Sequence, residues 1–138
     1  SSTRAAAADP SKWLVLPEII SKEPLGPLVR HGDHQWGDVV RWSLNAMIIA
    51  EELGVTSENV DASLSSNVPE VLRLLGVEGS YGEMLELAPD WAYQIIKQIG
   101  NYSESYEANV GPDTPLEIAR GLNALWTQGG ILYAPPFR

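Results

Sequence analysis

Residues 16–36 read LPEIISKEPLGPLVRHGDHQW, and this stretch decides how the chain is expected to fold. Two short apolar runs, at 13–16 and 28–30, lie on either side of a polar segment, and Gly26 and Pro27 precede the second run. Runs of this length with such punctuation predict short strands or extended crossings. The stretch therefore indicates a crossover between two parts of a molecule, and it contains no obvious reactive site.

A long amphipathic helix is predicted directly after this stretch, over residues 34–53. Asp33 is a good N-cap, and Gly54 can end the helix because glycine accepts a positive φ without a Cβ clash. At ~1.5 Å rise per residue, the helix would be roughly 30 Å long. Its apolar residues recur at helical spacing, at Trp36, Val39, Val40, Leu44, Met47 and Ile48.

Shorter helices are predicted over most of the remaining sequence. Residues 1–8 contain an alanine run and predict the end of a helix, because Asp9 and Pro10 would stop it. The other helices are predicted at 56–64, at 68–75 with Pro69 in the first turn and Gly76 as the stop, at 89–99 with Trp91, Ile95, Ile96 and Ile99 on one face, and at 103–110.

The last predicted helix begins at a capping box. Thr114 and Glu117 have the spacing in which the Thr hydroxyl meets the N3 amide and the Glu side chain reaches back to the cap amide. An apolar stripe predicts that this helix continues to about residue 127, where Gly129 and Gly130 follow.

Two segments are predicted to be irregular. Residues 79–82 form a loop by composition, and residues 131–138, with two adjacent prolines, form an extended tail. The chain as a whole is therefore predicted to be mainly α, with two or three short strands.

Composition narrows the range of partners. Eighteen acidic and nine basic residues give a formal charge of -9, which disfavours nucleic acid and anionic lipid surfaces. The longest apolar run covers only residues 46–50, whereas a membrane span needs ~20 apolar residues, so no membrane insertion is expected. The chain has no cysteine, which excludes disulfides, Cys-zinc sites and thiol nucleophiles.

His31, Asp33 and His34 are the candidate metal ligands, since imidazole and carboxylate groups at close spacing can hold zinc or iron. The competing interpretation is a helix cap flanked by exposed histidines. That interpretation is favoured because no third and fourth ligand lies nearby in the sequence. We therefore expect no metal site.

Three carboxylate pairs are candidate acid/base couples, and each is better explained as a solvated surface. They are Glu51 with Glu52, Glu83 with Glu86, and Glu104 with Glu107. A Ser/His/Asp triad is disfavoured because both histidines lie beside the same helix start. The glycine pairs lack the residue order of a phosphate-binding loop. We expect no catalytic residue, no cofactor and no enzymatic activity.

Five aromatic residues raise the possibility of a ligand box. They are Trp36, Trp42, Trp91, Tyr93 and Trp126, and all lie on predicted helices. Core packing is the favoured interpretation, because aromatic side chains dominate the core area of small domains.

Five segments distributed over the chain resemble the carboxyl-terminal part of the general L-amino-acid-binding proteins of ABC importers, in solute-binding protein family 3. The stretch at 16–36 is one of them. The others read AEELGVTSENVD at 50–61, LRLLGVEG at 72–79, DWAYQIIKQIGNY at 90–102 and GLNALWTQGGILYAPPFR at 121–138. Together these segments are specific, and the resemblance extends over residues 1–138.

The resemblance implies a periplasmic protein with a two-lobe, type II binding fold of the α/β class, which closes on an amino acid and delivers it to a membrane permease. It implies that residues 1–12 end the second lobe, that 13–32 form the hinge crossover, and that 33–138 form the helical part of the first lobe plus a carboxyl-terminal extension. No signal peptide is recognised in this chain.

The resemblance also implies that the ligand-binding residues would precede Ser1. Relatives bind the α-carboxylate of the ligand with an Arg and the α-amino group with an Asp, and no residue here matches them, so the ligand-binding residues of this chain are unknown. We expect a fragment that binds amino acids poorly or not at all alone. Its expected partners are the ABC permease and either the missing amino-terminal part or a second copy, because covering helices without a sheet leave apolar faces unpaired.

Two other functions remain open from the residues alone. A stand-alone helical interaction module would have a closed monomeric core without exposed apolar patches. An enzyme using the corner at His31 and His34 would hold a bound metal.

Overall fold

The structure is a computed structural model that describes residues 2–18, 20–21 and 24–138. Helices account for its regular structure, which confirms the mainly α prediction. The α-helices of these ranges are α1 (Ser2–Ala5), α2 (His34–Glu52), α3 (Val60–Ser63), α4 (Pro69–Leu74), α5 (Tyr81–Met84), α6 (Trp91–Ile99) and α7 (Tyr102–Asn109). Short 3₁₀ helices occur at Pro10–Lys12, Gly121–Asn123 and Trp126–Gln128.

Helix α2 is the central helix of the structure, and it confirms the helix predicted at 34–53. The side chain of Asp33 accepts a hydrogen bond from the backbone N–H of Trp36 at 3.1 Å, and Gly54 follows the helix with φ of 69°. Later helices pack around α2, with α4, α6 and α7 in direct contact with it. The carboxyl-terminal half of α2 is the buried half, since Ala46, Ile48, Ile49 and Ala50 lie in the core.

The core lies between α2 and the helices that follow it. Ile96 of α6 is fully buried there, together with Val60 of α3 and Leu74 of α4. Burial of large aliphatic side chains is the main source of stability in a domain of this kind. Buried apolar residues also come from the irregular last part of the chain, namely Leu125, Ala134 and Phe137.

Helix α4 confirms the prediction at 68–75, and its end depends on a glycine. Gly76 adopts φ of 74°, and a Cβ placed on it would lie 1.9 Å from the carbonyl oxygen of Pro89. No side chain fits that space, so glycine lets the end of α4 lie against the start of α6. The helix predicted at 56–64 forms only as α3, because Thr56 and Asn59 bond to each other in a turn before it.

The prediction of a loop at 79–82 is wrong in part, because Tyr81–Met84 forms the single-turn helix α5. The amides of Leu85 and Leu87 both donate to the carbonyl oxygen of Gly82, which closes the turn. A Cβ on Gly82 would lie 2.4 Å from the carbonyl oxygen of Ala88, so the turn is folded tightly on the following segment.

Helices α6 and α7 confirm the predictions at 89–99 and 103–110. The buried face of α6 contains Trp91, Ala92 and Ile96, whereas Ile99 of the predicted stripe is exposed. A capping box does occur in the chain, and it opens α7. The side chain of Asn101 accepts from the amide of Glu104, and the Glu104 carboxylate accepts from the amide of Asn101.

The predicted helix at 114–127 is wrong. The Thr114 hydroxyl donates to the carbonyl oxygen of Gly111 and accepts from the amide of Leu116, and Glu117 has φ of 51°, which no right-handed helix allows. The amide of Ile118 donates to the carbonyl oxygen of Val110, so the stretch folds back on the end of α7. Tertiary contacts therefore outweigh a good local capping signal.

The predicted strands do not form in the part of the chain that the structure describes. Residues 13–16 and 28–30 lie in no helix and are unpaired, and the bridge recorded among the described residues joins Leu125 to Leu132. A strand needs a neighbouring strand to pair its backbone groups, and these runs have none among the described residues. Residues 19, 22 and 23 of the predicted crossover lie outside the described residues.

Residues 131–138 lie in no helix, in agreement with the prediction of an irregular tail, and Leu132 forms a bridge with Leu125. The segment contributes Ala134 and Phe137 to the core, which the sequence analysis did not anticipate.

Candidate functional site

The most conspicuous surface feature is an exposed apolar face along the crossover, which we call the crossover surface. Ile20 and Leu28 are almost fully exposed, at 98% and 97%. Soluble monomers seldom expose contiguous apolar patches of this kind without a binding role. The surface consists of Trp13, Leu14, Val15, Leu16, Ile20, Leu25, Leu28 and Val29, with Trp36 of α2.

Both ends of the crossover surface are attached to the helical body. Before it, the Arg4 guanidinium lies 3.1 Å from a carboxylate oxygen of Glu117 and also donates to the carbonyl oxygen of Pro10. After it, Val29 lies beside Gly37, where an added Cβ would be 3.6 Å from Cγ2 of Val29. The apolar side chains of the crossover surface between these points are exposed.

The three candidate metal ligands form a helix start. Asp33 uses a carboxylate oxygen to cap α2, while His31 and His34 are exposed beside it. The favoured interpretation of a capped helix is thereby confirmed. Among the described residues, no three His, Cys, Asp or Glu side chains come together as a metal-binding group.

The prediction that the three carboxylate pairs form solvated surfaces is wrong for Glu51 and Glu104, which are partly buried and bound to other residues. Glu51 pairs with Arg120, and Glu52 accepts a hydrogen bond from the Trp126 indole at 3.2 Å. Glu104 accepts from the Ser57 hydroxyl at 2.6 Å and from the Asn101 amide at 2.7 Å. These carboxylates therefore join the helices to the loops around them.

Glu83, Glu86 and Glu107 are exposed, as a solvated surface predicts.

Arg120 was not singled out by the sequence, and it organises the irregular stretch after α7. Its guanidinium lies 3.0 Å from Oε1 of Glu51, and it stacks over the rings of Tyr102 and Tyr106 at 5.4 and 5.3 Å. Burial raises the pKa of Tyr102, against the lowering effect of the Arg120 charge. No sequence pattern around Arg120 indicates this contact, because the residue lies within the stretch that was predicted to be helical.

A second unanticipated cluster joins α3 to α6 on the surface. The Asp61 carboxylate accepts from the Lys97 ammonium at 2.6 Å and from the Tyr93 hydroxyl at 2.9 Å. These hydrogen bonds lower the pKa of Asp61, Lys97 first and Tyr93 second. The same carboxylate raises the pKa of Lys97 and of Tyr93 by accepting their hydrogen bonds.

The predicted aromatic core is only partly formed. Trp91 is buried and Trp42 is half-buried against Phe137, whereas Trp36 and Trp126 are more than half exposed. Two apolar clefts adjoin Phe137, with volumes of about 230 and 320 Å³. Both are bordered by residues 131–138, so the extended segment shapes the concave surface of the helical body.

No helix among the described ranges has the length and apolar character to cross a bilayer.

Among the described residues, the helical body has no sheet of its own, and the apolar runs at 13–16 and 28–30 are unpaired. The comparisons give the class of protein to which this chain is similar. Over nearly its whole length the chain is homologous to part of the amino-acid-binding proteins of ABC transporters, which are binding and transport proteins. No family model matches the chain.

Individual relatives make the class more specific. The chain is 53% identical to the glutamate/glutamine/aspartate/asparagine-binding protein BztA of Rhodobacter capsulatus, over 100% of this chain and 41% of BztA. It is also 53% identical to the general L-amino acid-binding periplasmic protein AapJ of Rhizobium johnstonii, over 99% of this chain and 41% of AapJ. YhdW of Escherichia coli strain K12 is 56% identical, over 98% of this chain and 40% of YhdW.

A solved structure agrees with these relatives. The ABC transporter periplasmic binding protein from Brucella ovis, with glutathione bound, superposes with a TM-score of 0.92 at 51% identity, over 98% of this chain and 43% of that one. The chain thus spans about two fifths of the length of the relatives it matches. This coverage agrees with the expectation of a part of a two-lobe protein, and the stand-alone module is not favoured.

Proposed function

We propose that this chain is part of a periplasmic protein that binds L-amino acids and delivers them to an ABC importer. The observation that carries the proposal is 53% identity to both BztA and AapJ over essentially all of this chain. Identity at this level, together with a TM-score of 0.92 to a periplasmic binding protein, supports the same architecture and the same general role.

Within such a protein, residues 1–12 end the second lobe, 13–32 form the hinge crossover, and 33–138 form helical cover of the first lobe with its extension. The crossover surface supports this division, because its apolar side chains need a sheet or a lobe to cover them. The firmly packed core around α2 supports placing 33–138 on one side of the hinge.

The ligand-binding residues of the protein lie outside this chain in our proposal. The clefts beside Phe137 are lined mainly by apolar side chains. Glu52 and Glu70 border one cleft and Arg138 borders the other, so neither cleft brings an acidic and a basic side chain together for the α-amino and α-carboxylate groups of a ligand. Its partners are the remaining part of the binding protein and the permease, and its role is binding and delivery without catalysis.

A chimera tests the proposal directly. The matching region of AapJ is replaced by this chain, and binding of a panel of L-amino acids and glutathione is measured by calorimetry for AapJ, for the chimera and for this chain alone. We expect the chimera to bind L-amino acids within about tenfold of AapJ, because the replaced region carries architecture rather than ligand contacts. We expect the chain alone to release no binding heat.

Matched substitutions in the chimera locate the contribution of the crossover. Leu14→Lys with Leu28→Lys places charges on the crossover surface, and we expect weaker binding because the hinge no longer packs. Val77→Lys is the control, since Val77 is half exposed and is not part of the crossover surface. A folded chimera that binds no amino acid would contradict the proposed function, and micromolar binding by the chain alone would contradict the location of the ligand residues.

A further inference from the structure

Residues 133–138 are held against the helical body almost entirely by side chains. The amide of Leu132 donates to the carbonyl oxygen of Ala124, and its own carbonyl oxygen accepts from the amide of Trp126. In the described part of the chain, no hydrogen bond is recorded for any residue after Leu132. The segment is therefore attached to the helical body by its buried side chains and not by backbone hydrogen bonds, as many bound peptides are.

The inserted side chains follow a three-residue period. Ala134 and Phe137 are buried, at 4% and 7% exposure, while Pro135 and Pro136 between them are exposed. The polyproline II helix has three residues per turn, so positions i and i+3 lie on the same side. Consecutive prolines favour this conformation because each ring holds φ near about −65°.

The ring of Phe137 enters a pocket walled by three aromatic side chains, which we call the aromatic pocket. Its ring centroid lies 5.2 Å from that of Trp42 and 5.2 Å from that of Tyr81. The third wall is Trp91, whose ring meets Phe137 edge-on at 6.2 Å. Such offset and edge-to-face geometries are the favourable ones for aromatic pairs.

We propose that the aromatic pocket is a peptide-recognition site for an extended segment in which two prolines precede an aromatic residue. Residues 133–138 of the same chain occupy it as an internal ligand. Aromatic-lined grooves are the usual receptors for proline-rich peptides, because a polyproline II peptide loses little entropy on binding. A cleft of about 320 Å³ adjoins the inserted ring, and it is bordered by Met84 and Leu85 of the body and by Pro136 and Arg138 of the segment itself.

The proposal does not depend on amino-acid binding, because its test measures peptide binding by this chain. Phe137→Ala empties the pocket in the full chain, and its thermal midpoint should fall by several degrees. A synthetic peptide of residues 131–138 should raise that midpoint again in a concentration-dependent way. Unaltered protein should respond little, because its own segment is present at an effective concentration in the millimolar range.

Control peptides separate recognition from general adhesion. The peptide carrying Phe137→Ala should bind at least about tenfold more weakly, and the peptide with both prolines replaced by glycine should also lose affinity. Equal effects of all three peptides, or equal effects on the unaltered chain and the variant, would overturn the proposal. So would the absence of any effect.

A second variant covers the case in which Phe137→Ala does not fold. Phe137→Leu keeps an apolar side chain and loses the ring stacking, and the same peptide series applies to it. If neither variant folds, digestion of the unaltered chain by carboxypeptidases B and A decides. Release of Arg138 and Phe137 faster than global unfolding supports a detachable segment, and release only on global unfolding overturns it.

Discussion

The guanidinium of Arg120 lies 3.0 Å from Oε1 of Glu51, and this ion pair joins the irregular stretch after α7 to the central helix α2. Both side chains are largely buried, at 15% and 9% exposure. Arg120 also donates twice to the carbonyl oxygen of Asn123. One side chain thereby holds together a helix, a turn and two tyrosine rings.

Arg120→Ala should lower the free energy of unfolding by about 3 kcal/mol, because it leaves the Glu51 carboxylate buried without its partner. Arg120→Lys should cost about 1 kcal/mol, since lysine keeps the charge and loses the planar fork that stacks on the tyrosines. Urea denaturation measures both values. Arg41→Ala is the control and should change stability by less than about 0.5 kcal/mol, because its pair with Asp38 is exposed. Equal effects of Arg120→Ala and Arg41→Ala would contradict this role.

Gly76→Ala should destabilise the chain by about 3 kcal/mol, because the methyl group would meet the Pro89 carbonyl oxygen and the positive φ would become strained. Gly54→Ala isolates the second effect. Its φ of 69° is similar but no heavy atom lies within 4 Å of the added Cβ, so we expect about 1 kcal/mol. Thermal or urea unfolding of both variants gives the comparison, and a smaller loss at Gly76 than at Gly54 would show that the close approach is absent.

The Asp61 cluster should give a pH-dependent contribution to stability. Because the folded-state pKa of Asp61 is lowered, its contribution is present above the unfolded value of about 4 and is lost as pH falls through the folded value. The pKa values of Lys97 and Tyr93 are raised, so their contributions are present below about pH 10 and are lost as pH rises through the folded values.

Asp61→Asn should therefore lower the urea midpoint at pH 7, and its difference from the unaltered chain should be smaller at a pH below the ordinary aspartate value of about 4. The Asp113→Asn variant controls for the loss of one negative charge from an acidic protein. A difference between the unaltered chain and Asp61→Asn that is the same at both pH values would rule out ionisation of Asp61 as its cause.

The crossover surface should make the isolated chain associate or bind hydrophobic dyes. Leu14→Lys with Leu28→Lys should reduce both dye fluorescence and the sedimentation coefficient at a given concentration, while the thermal midpoint stays within a few degrees, because neither side chain contributes to the core. Val77→Lys again serves as the control. A stable, compact monomer that binds no dye before any substitution would count against an unpartnered surface.

Much of the helical body could be predicted from local signals. The cap at Asp33, the apolar spacing of α2 and the glycines at 54 and 76 all indicated the right elements, because capping and helical periodicity are determined within a few residues. The same local logic failed at Thr114 and Glu117. There the stretch is held in a non-helical conformation by two contacts. Arg120 pairs with Glu51, and the Tyr106 hydroxyl donates to the carbonyl oxygen of Ala119.

The candidate site divides in the same way. The prolines, the glycine and the short apolar runs of residues 13–30 predict a crossover, and this role stays a prediction. The aromatic pocket was not predictable, because Trp42, Tyr81, Trp91 and Phe137 lie far apart in the sequence.

The sequence by itself determined the helices with strong caps and clear periodicity and the resemblance to amino-acid-binding proteins. Only the tertiary structure decided that residues 114–127 do not form the predicted helix, that the strand-like runs at 13–16 and 28–30 are unpaired, and that Phe137 completes the core. The physical reason is the sequence separation between the residues that stabilise each feature. Caps and turns are stabilised by neighbours in the chain, whereas a strand, a buried ion pair or an aromatic pocket is stabilised by partners that only the folded structure brings into contact.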